Sequence, residues 1–249
     1  MRSPPLNNRT IGQLDERMLI RIAGILKPHL PEAKKLFALK KKETHSDYGA
    51  WLELIYCILA GTQVPIETAR RAHQALIVTF GPEGLQPSNL LTSRRKTRPV
   101  DEIADTLRGS GYRYHRTKAA VIVSAAEFIS KKINGTLVQF VANGEVESLE
   151  KLMTSEIKGV GTKIARHWLR NMGKDTCTID VHLRRFFSSI GVYRDNLKRD
   201  IPRSDFLQLE GLIGQVAKYL RRSKPEVQYA LWISIRGSRI SPQINLELV

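Results

Sequence analysis

An all-α fold, arranged as two helical lobes, is what this 249-residue sequence predicts, and three features predict it. Apolar residues recur at three- and four-residue spacing along most of the chain. Glycine and proline interrupt that pattern about one helix length apart. No run of alternating apolar and polar residues is long enough to build a sheet.

Taken in order, residues 1–48 carry a basic run, Lys34-Lys35 and Lys40-Lys41-Lys42, which reads as a solvated helix face or a loop. Leu52, Ile55, Tyr56 and Leu59 then follow the i, i+3, i+4, i+7 pattern of an amphipathic helix. The same period runs through Glu67–Phe80, Arg116–Lys132, Phe206–Leu220 and Glu226–Ile235. Stop signals fall between these stretches at Gly81-Pro82, Pro87–Pro99, Gly109–Gly111, Gly135, Gly144 and Pro202. Residues Leu85–Arg98 form a polar, basic loop able to touch phosphate. The expected organisation is an N-terminal helical segment, 1–48, that completes a discontinuous lobe, a central helical lobe, 49–143, and a C-terminal part, 144–249.

Charge narrows the function. Lysine and arginine total 40 against 24 acidic residues, a formal charge of +16. A surplus of that size suits a polyanionic partner, because clustered cations release counterions from a phosphate backbone. Two cysteines, Cys57 and Cys177, both in apolar surroundings, are too few for a disulfide framework, a four-ligand zinc cage or an iron–sulfur cluster. The first ten residues, MRSPPLNNRT, lack the apolar stretch of a signal peptide, and no segment is long enough to span a bilayer. An intracellular protein of the cytoplasm or nucleoid is expected, with no membrane partner and a monomer as its simplest state.

The chemistry concentrates in Leu152–Val192. A short helix should end near Lys158, followed by the turn Gly159-Val160-Gly161 and a second helix from about Thr162 to Met172, so that residues 154–172 form a helix–hairpin–helix unit. Two glycines around one small apolar residue allow a tight turn with bare backbone. The amides that open the second helix are then unpaired, and with the helix dipole they make a ready seat for a phosphate oxygen. Lys163 stands in that first turn, where another positive charge is unwelcome and the unprotonated, nucleophilic amine is favoured. Asp180, in Thr-Ile-Asp-Val-His, falls where a third helix should begin. An aspartate there is a good helix N-cap, and the two roles are compatible because a capping carboxylate is rigidly held.

Hairpin, lysine and aspartate in this order resemble the helix-hairpin-helix DNA glycosylase superfamily that includes endonuclease III. Gly159-Val160-Gly161 matches the hairpin, Lys163 the lysine nucleophile of bifunctional members and Asp180 the superfamily aspartate. The loop before Asp180 contains Gly173 but no proline. Within the superfamily the likeness is greatest to archaeal-type 8-oxoguanine DNA glycosylases. Four blocks carry it: Leu52–Gly61; Gly111–Phe128; Lys158–Gly173 with the TIDVHLRRF segment; and Ala230–Gly237. This chain departs from those relatives in its longer N-terminal part and in residues 240–249 beyond the last block.

The resemblance implies a bifunctional DNA glycosylase/AP lyase of base excision repair that acts on double-stranded DNA carrying a damaged base, flips the nucleotide out and attacks the sugar through Lys163. It also implies that Gln63 plugs the gap in the duplex, where the plainer reading is a polar helix end, that Gly159, Val160 and Gly161 touch DNA, and that Trp232 stacks on the flipped base, where the competing reading is a core tryptophan. By position alone, Gln228 stands one helical turn before Trp232, within reach of a base edge; His182, two residues after Asp180, suits a phosphate contact or a structural role; and Arg113 belongs to a basic cluster that either orders a loop against DNA or caps the next helix. No cofactor is implied; a monovalent cation held by hairpin carbonyls would leave no side-chain signature, and His167 and His182 lack partners at metal-ligand spacing. Other readings of the same residues are a glycosylase for uracil, mismatched thymine or oxidised pyrimidines, a non-catalytic helix-hairpin-helix module that only holds DNA, and a basic protein of a ribonucleoprotein.

Overall fold

A computed structural model of the chain describes residues 13–61, 64–92, 98–133, 136–193 and 201–237. Among them the regular structure is helical: α1 (Glu16–Leu26), α2 (Leu30–Glu43), α3 (Asp47–Ala60), α4 (Ile66–Gly84), α5 (Pro87–Leu91), α6 (Pro99–Gly109), α7 (His115–Phe128), α8 (Leu137–Asn143), α9 (Val146–Glu156), α10 (Thr162–Asn171), α11 (Val181–Ser189), α12 (Arg203–Leu220) and α13 (Lys224–Gly237). No helix among the described residues is long and apolar enough to cross a membrane.

Local chemistry sets several of the helix ends. Asp15 caps α1 by accepting from the Met18 amide at 2.7 Å, and Ser46 caps α3 by accepting from Gly49 at 3.1 Å. Pro87 and Pro99 open α5 and α6, where the missing amide hydrogen is no loss. The expected stop at Gly81-Pro82 is a break within α4, where Gly81 adopts φ 66°.

The chain divides into two compact units, residues 38–176 and residues 1–37 with 177–249. In the first, α3 is the central element, burying Ala50, Trp51, Leu54, Ile55, Cys57, Ile58 and Leu59. A helix apolar around most of its surface belongs inside a protein, and α3 packs against α4, α7, α8 and α10. Its neighbours are tied to it by polar tips of buried aromatics: Trp168 of α10 donates to the Ala50 carbonyl at 2.8 Å, and Trp51 of α3 donates to the Leu85 carbonyl at 2.6 Å. In the second unit α1 presents Ile22, Ala23 and Leu26 to α12 and α13, and α11 rests on α13. Phe187, Phe206, Leu209, Ile213, Val216, Val227 and Leu231 fill that core.

The division differs from the expected lobes, which placed boundaries after residues 48 and 143. Here they fall after Phe37 and Thr176, so the helix–hairpin–helix lies in the middle unit. The reason is packing: α10 lies on both α9 and α3, and its Trp168 and Asn171 reach back to Ala50 and Glu53.

Candidate active site

The hairpin is built on α7. After α9, Ile157 and Val160 turn into the core while Gly159 takes φ 85°, the left-handed region open to glycine. A Cβ at Gly159 would lie 2.5 Å from Cγ2 of Val121 on α7. One residue earlier, the Lys158 amide donates to Ser124 Oγ of the same helix at 3.0 Å. Bare backbone at Gly159 is therefore required twice, by its φ and by the approach of α7. Gly159→Ala is expected to cost about 1–3 kcal/mol of stability in urea unfolding and to weaken DNA binding. An unchanged midpoint would mean that Val121 yields freely.

Beyond the turn, α10 starts at Gly161 with no side-chain cap. The Ile164 amide donates to the Gly161 carbonyl at 3.0 Å, and the turn ahead of it has no side-chain cap, which suits a phosphate seat. The helix is held from behind by a buried ion pair. Arg166 on α10 and Glu150 on α9, each 1% exposed, meet with Nε–Oε2 at 2.7 Å. Thr162 donates to the other Glu150 oxygen at 2.9 Å, and Arg166 also donates to Thr176 Oγ1 at 3.0 Å. These bonds set the rotation and height of the turn that carries Lys163, which is half-buried. His167, one turn further on, lies edge-on to Tyr56. Burial, with Arg170, Lys163 and Lys40 nearby, pushes His167 well below the usual histidine range, so it is neutral.

A second polar group is buried behind α10. Glu53 on α3 accepts from Asn171 and Cys57 on one oxygen and from Lys40 on the other. Ligand atoms of Glu53, Cys57 and His167 lie within 4.8 Å of one another, close enough for a metal ion to span. Both carboxylate oxygens are engaged by these donors, one of them an ammonium, so the group is a hydrogen-bonded brace between α3 and α10.

Asp180 belongs to the other unit. As expected, it is the N-cap of α11: its Oδ1 accepts from the His182 and Leu183 amides, both at 2.9 Å. The carboxylate is thus pinned by two backbone donors. Cys177, Thr178 and Ile179, just upstream, are buried in a segment without regular secondary structure. Gln228 of α13 clamps this segment, accepting from the Thr178 amide at 2.9 Å and donating to the Thr178 carbonyl at 2.6 Å. That corrects the expectation for Gln228. Its carboxamide, 5% exposed, is committed at both ends to the backbone next to Asp180 rather than aimed at a base edge. Trp232 follows one turn later on α13 and is half-buried. His182 is half-buried beside Asp180, and Arg113 is exposed with its guanidinium 5.2 Å above the Tyr114 ring. Gln63 lies outside the described residues.

Three buried charged positions of the middle unit escape a search for motifs. Glu53 and Lys118 are charged residues at apolar positions of helical periods (WLELIYCILA and HRTKAAVIV), the one signal that marked them. Both are buried. Glu150 carries no such mark, because its partner Arg166 is sixteen residues away in sequence.

Comparison with known proteins places this geometry in a family. Residues 33–222, more than half of the chain, match the family described as 8-oxoguanine DNA glycosylase. A curated relative from Thermotoga petrophila, 8-oxoguanine DNA glycosylase/AP lyase, is 29% identical over 140 residues. The match covers 56% of this chain and 64% of the relative, so it spans less than two thirds of that protein's length. The crystal structure of the 8-oxoguanine DNA glycosylase of Thermotoga maritima is 22% identical, with a TM-score of 0.69 over 89% of this chain and 97% of that one. The Methanocaldococcus jannaschii 8-oxoguanine glycosylase/lyase, solved with a 15mer DNA containing 8-oxoguanine, is 24% identical, with a TM-score of 0.68 over 88% of this chain and 98% of that one. At that identity the two structures share the fold of this protein. By its hairpin, its uncapped α10 and the span of the family match, this chain belongs to the 8-oxoguanine DNA glycosylase family.

Proposed function

We propose that the protein is a bifunctional DNA glycosylase/AP lyase that removes 8-oxoguanine from duplex DNA, with Lys163 as nucleophile and Asp180 as the assisting carboxylate. The observation that carries the reading is Lys163 itself: a half-buried amine in the uncapped first turn of α10, directly after the hairpin, in a chain of this family. The hairpin amides would take a DNA phosphate, and the net charge of +16 would supply the general attraction. His182 and Arg113 would add contacts to the strand, Gln63 would fill the gap in the duplex, and Trp232 would stack on the flipped purine.

In this mechanism the neutral Lys163 amine attacks the sugar C1′ while the bond from C1′ to the base breaks, the base leaving with the electron pair and taking up a proton. The lysine proton passes to Asp180, whose charge also stabilises the sugar cation. The C1′–O4′ bond of the ring then opens as the nitrogen lone pair forms a protonated imine between Lys163 and C1′, and O4′ takes up the proton held by Asp180. Loss of a C2′ proton then expels the 3′ phosphate and nicks the strand.

Borohydride reduces that imine to a stable amine, so the test is covalent trapping on duplexes carrying 8-oxoguanine, uracil, thymine glycol or an abasic site. An adduct on 8-oxoguanine DNA that disappears in Lys163→Gln, with DNA affinity kept, is the expected result. A Lys163-dependent adduct only on another lesion would move the substrate, and normal nicking by Lys163→Gln would remove the nucleophile assignment.

A further inference from the structure

The chain that enters Asp180 has no helix or strand ladder to bond its backbone, yet Cys177, Thr178 and Ile179 are all buried. Buried backbone amides and carbonyls need partners. For Thr178 both partners come from one side chain, Gln228 of α13, fifty residues further on. Its Oε1 accepts from the Thr178 amide at 2.9 Å, and its Nε2 donates to the Thr178 carbonyl at 2.6 Å. A carboxamide carries an acceptor and a donor as a peptide group does, so Gln228 takes the place that a neighbouring strand would fill. Thr178 stands two residues before Asp180, whose Oδ1 caps α11 through the His182 and Leu183 amides. The carboxylate therefore sits between two anchors in the same unit, the cap on α11 and the clamp from α13. Those two helices also pack on each other. Trp232 follows Gln228 by one turn on α13.

We propose that Gln228 is a positioning residue for Asp180, setting the place of the carboxylate against the helix that carries Trp232. The inference rests on the reading of Asp180 as the assisting carboxylate. The cap fixes Asp180 to the first turn of α11, and the clamp fixes the chain that leads into it. A reacting group displaced by about 1 Å loses on the order of 10²-fold in rate, so a hold two residues away acts on the chemistry without touching the substrate. This role differs from reading a base edge, which matters only while a base is attached. On an abasic duplex no base departs; water leaves C1′ instead, and the lysine proton still needs its acceptor. Gln228 is therefore needed on both kinds of DNA.

The experiment is single-turnover borohydride trapping on an 8-oxoguanine duplex and on an abasic duplex, with wild type, Gln228→Met, Asp180→Asn and the double variant. Gln228→Met is expected to trap about 10- to 100-fold more slowly on both duplexes, with DNA affinity unchanged. Added to Asp180→Asn it should cause no further loss, because a residue that acts through the carboxylate then has nothing left to position. A base-edge contact predicts instead a loss on 8-oxoguanine beside normal trapping on the abasic duplex. A general packing role predicts that the two losses multiply. Either result, or wild-type trapping by Gln228→Met, overturns the proposal. If Gln228→Met does not fold, Gln228→Glu, which keeps the acceptor for the Thr178 amide and loses the donor to its carbonyl, is read by the same rules. Normal trapping by Asp180→Asn would overturn this inference together with the reading of Asp180, whereas a loss there with none in Gln228→Met overturns the inference alone.

Discussion

Asp180→Asn should leave helix α11 intact and slow covalent trapping on the order of 10²- to 10⁴-fold, the range for a lost acid–base group. The observed cap and the proposed catalytic role can be separated because they use different properties. Capping needs one acceptor oxygen facing the His182 and Leu183 amides, and asparagine caps helices as well as aspartate does. Accepting the lysine proton and steadying a sugar cation need the negative charge, which asparagine lacks. Thermal stability within about 0.5 kcal/mol of wild type, beside the kinetic loss, is the expected pair of results. Asp180→Ala should lose the same activity and about 1 kcal/mol of stability besides. Normal trapping by Asp180→Asn would reduce Asp180 to a cap.

The largest effect on stability is expected at Glu150. Its carboxylate, 1% exposed, holds Arg166 at 2.7 Å and Thr162 at 2.9 Å. Glu150→Ala leaves the equally buried Arg166 guanidinium without that counter-charge; Thr176 remains, and Glu147 is at 3.3 Å but largely exposed. Removing one partner of such a pair costs about 3–5 kcal/mol, because the remaining charge stays desolvated. Urea unfolding followed by tryptophan fluorescence suits the measurement, since Trp51 and Trp168 are both buried in the unit that holds this pair. Trapping should fall too, because the turn bearing Lys163 loses its anchor to α9. A loss below about 1 kcal/mol would show that water reaches Arg166 once the carboxylate is gone. Glu150→Gln, which keeps the acceptor for Thr162 but not the charge, should fall between wild type and Glu150→Ala.

The most local features are the ones the sequence carries best. A hairpin that needs Gly159, a helix that opens with Thr162-Lys163 and a cap at Asp180 are each decided within a few residues, by backbone freedom, unpaired amides and a short polar side chain. The helical periods from Leu52 to Ile235 are local in the same sense, and so is the break at Gly81-Pro82. For these, reading the chain was enough to locate the helices and turns and to see the family it resembles.

What the sequence could not decide is which distant residues share a burial site. Gln228 reads as a free amide one turn before Trp232 until Thr178, fifty residues away, occupies both its ends. The hairpin reads as part of the C-terminal lobe until Trp168 and Asn171 bind it to α3. Glu53 shows in the sequence only as a charge at an apolar position of a helical period; its role as a brace on α10 comes from Asn171, 118 residues away. Partner choice for a buried polar group depends on which groups the folded core brings within hydrogen-bond distance, and only tertiary structure determines that. The sequence by itself determined most of the helices and the hairpin turn with the cap at Asp180, because those are settled within a few residues. The folded chain decided what holds that turn still, because the Glu150–Arg166 pair and the Trp168 and Asn171 bonds to α3 join residues far apart in sequence.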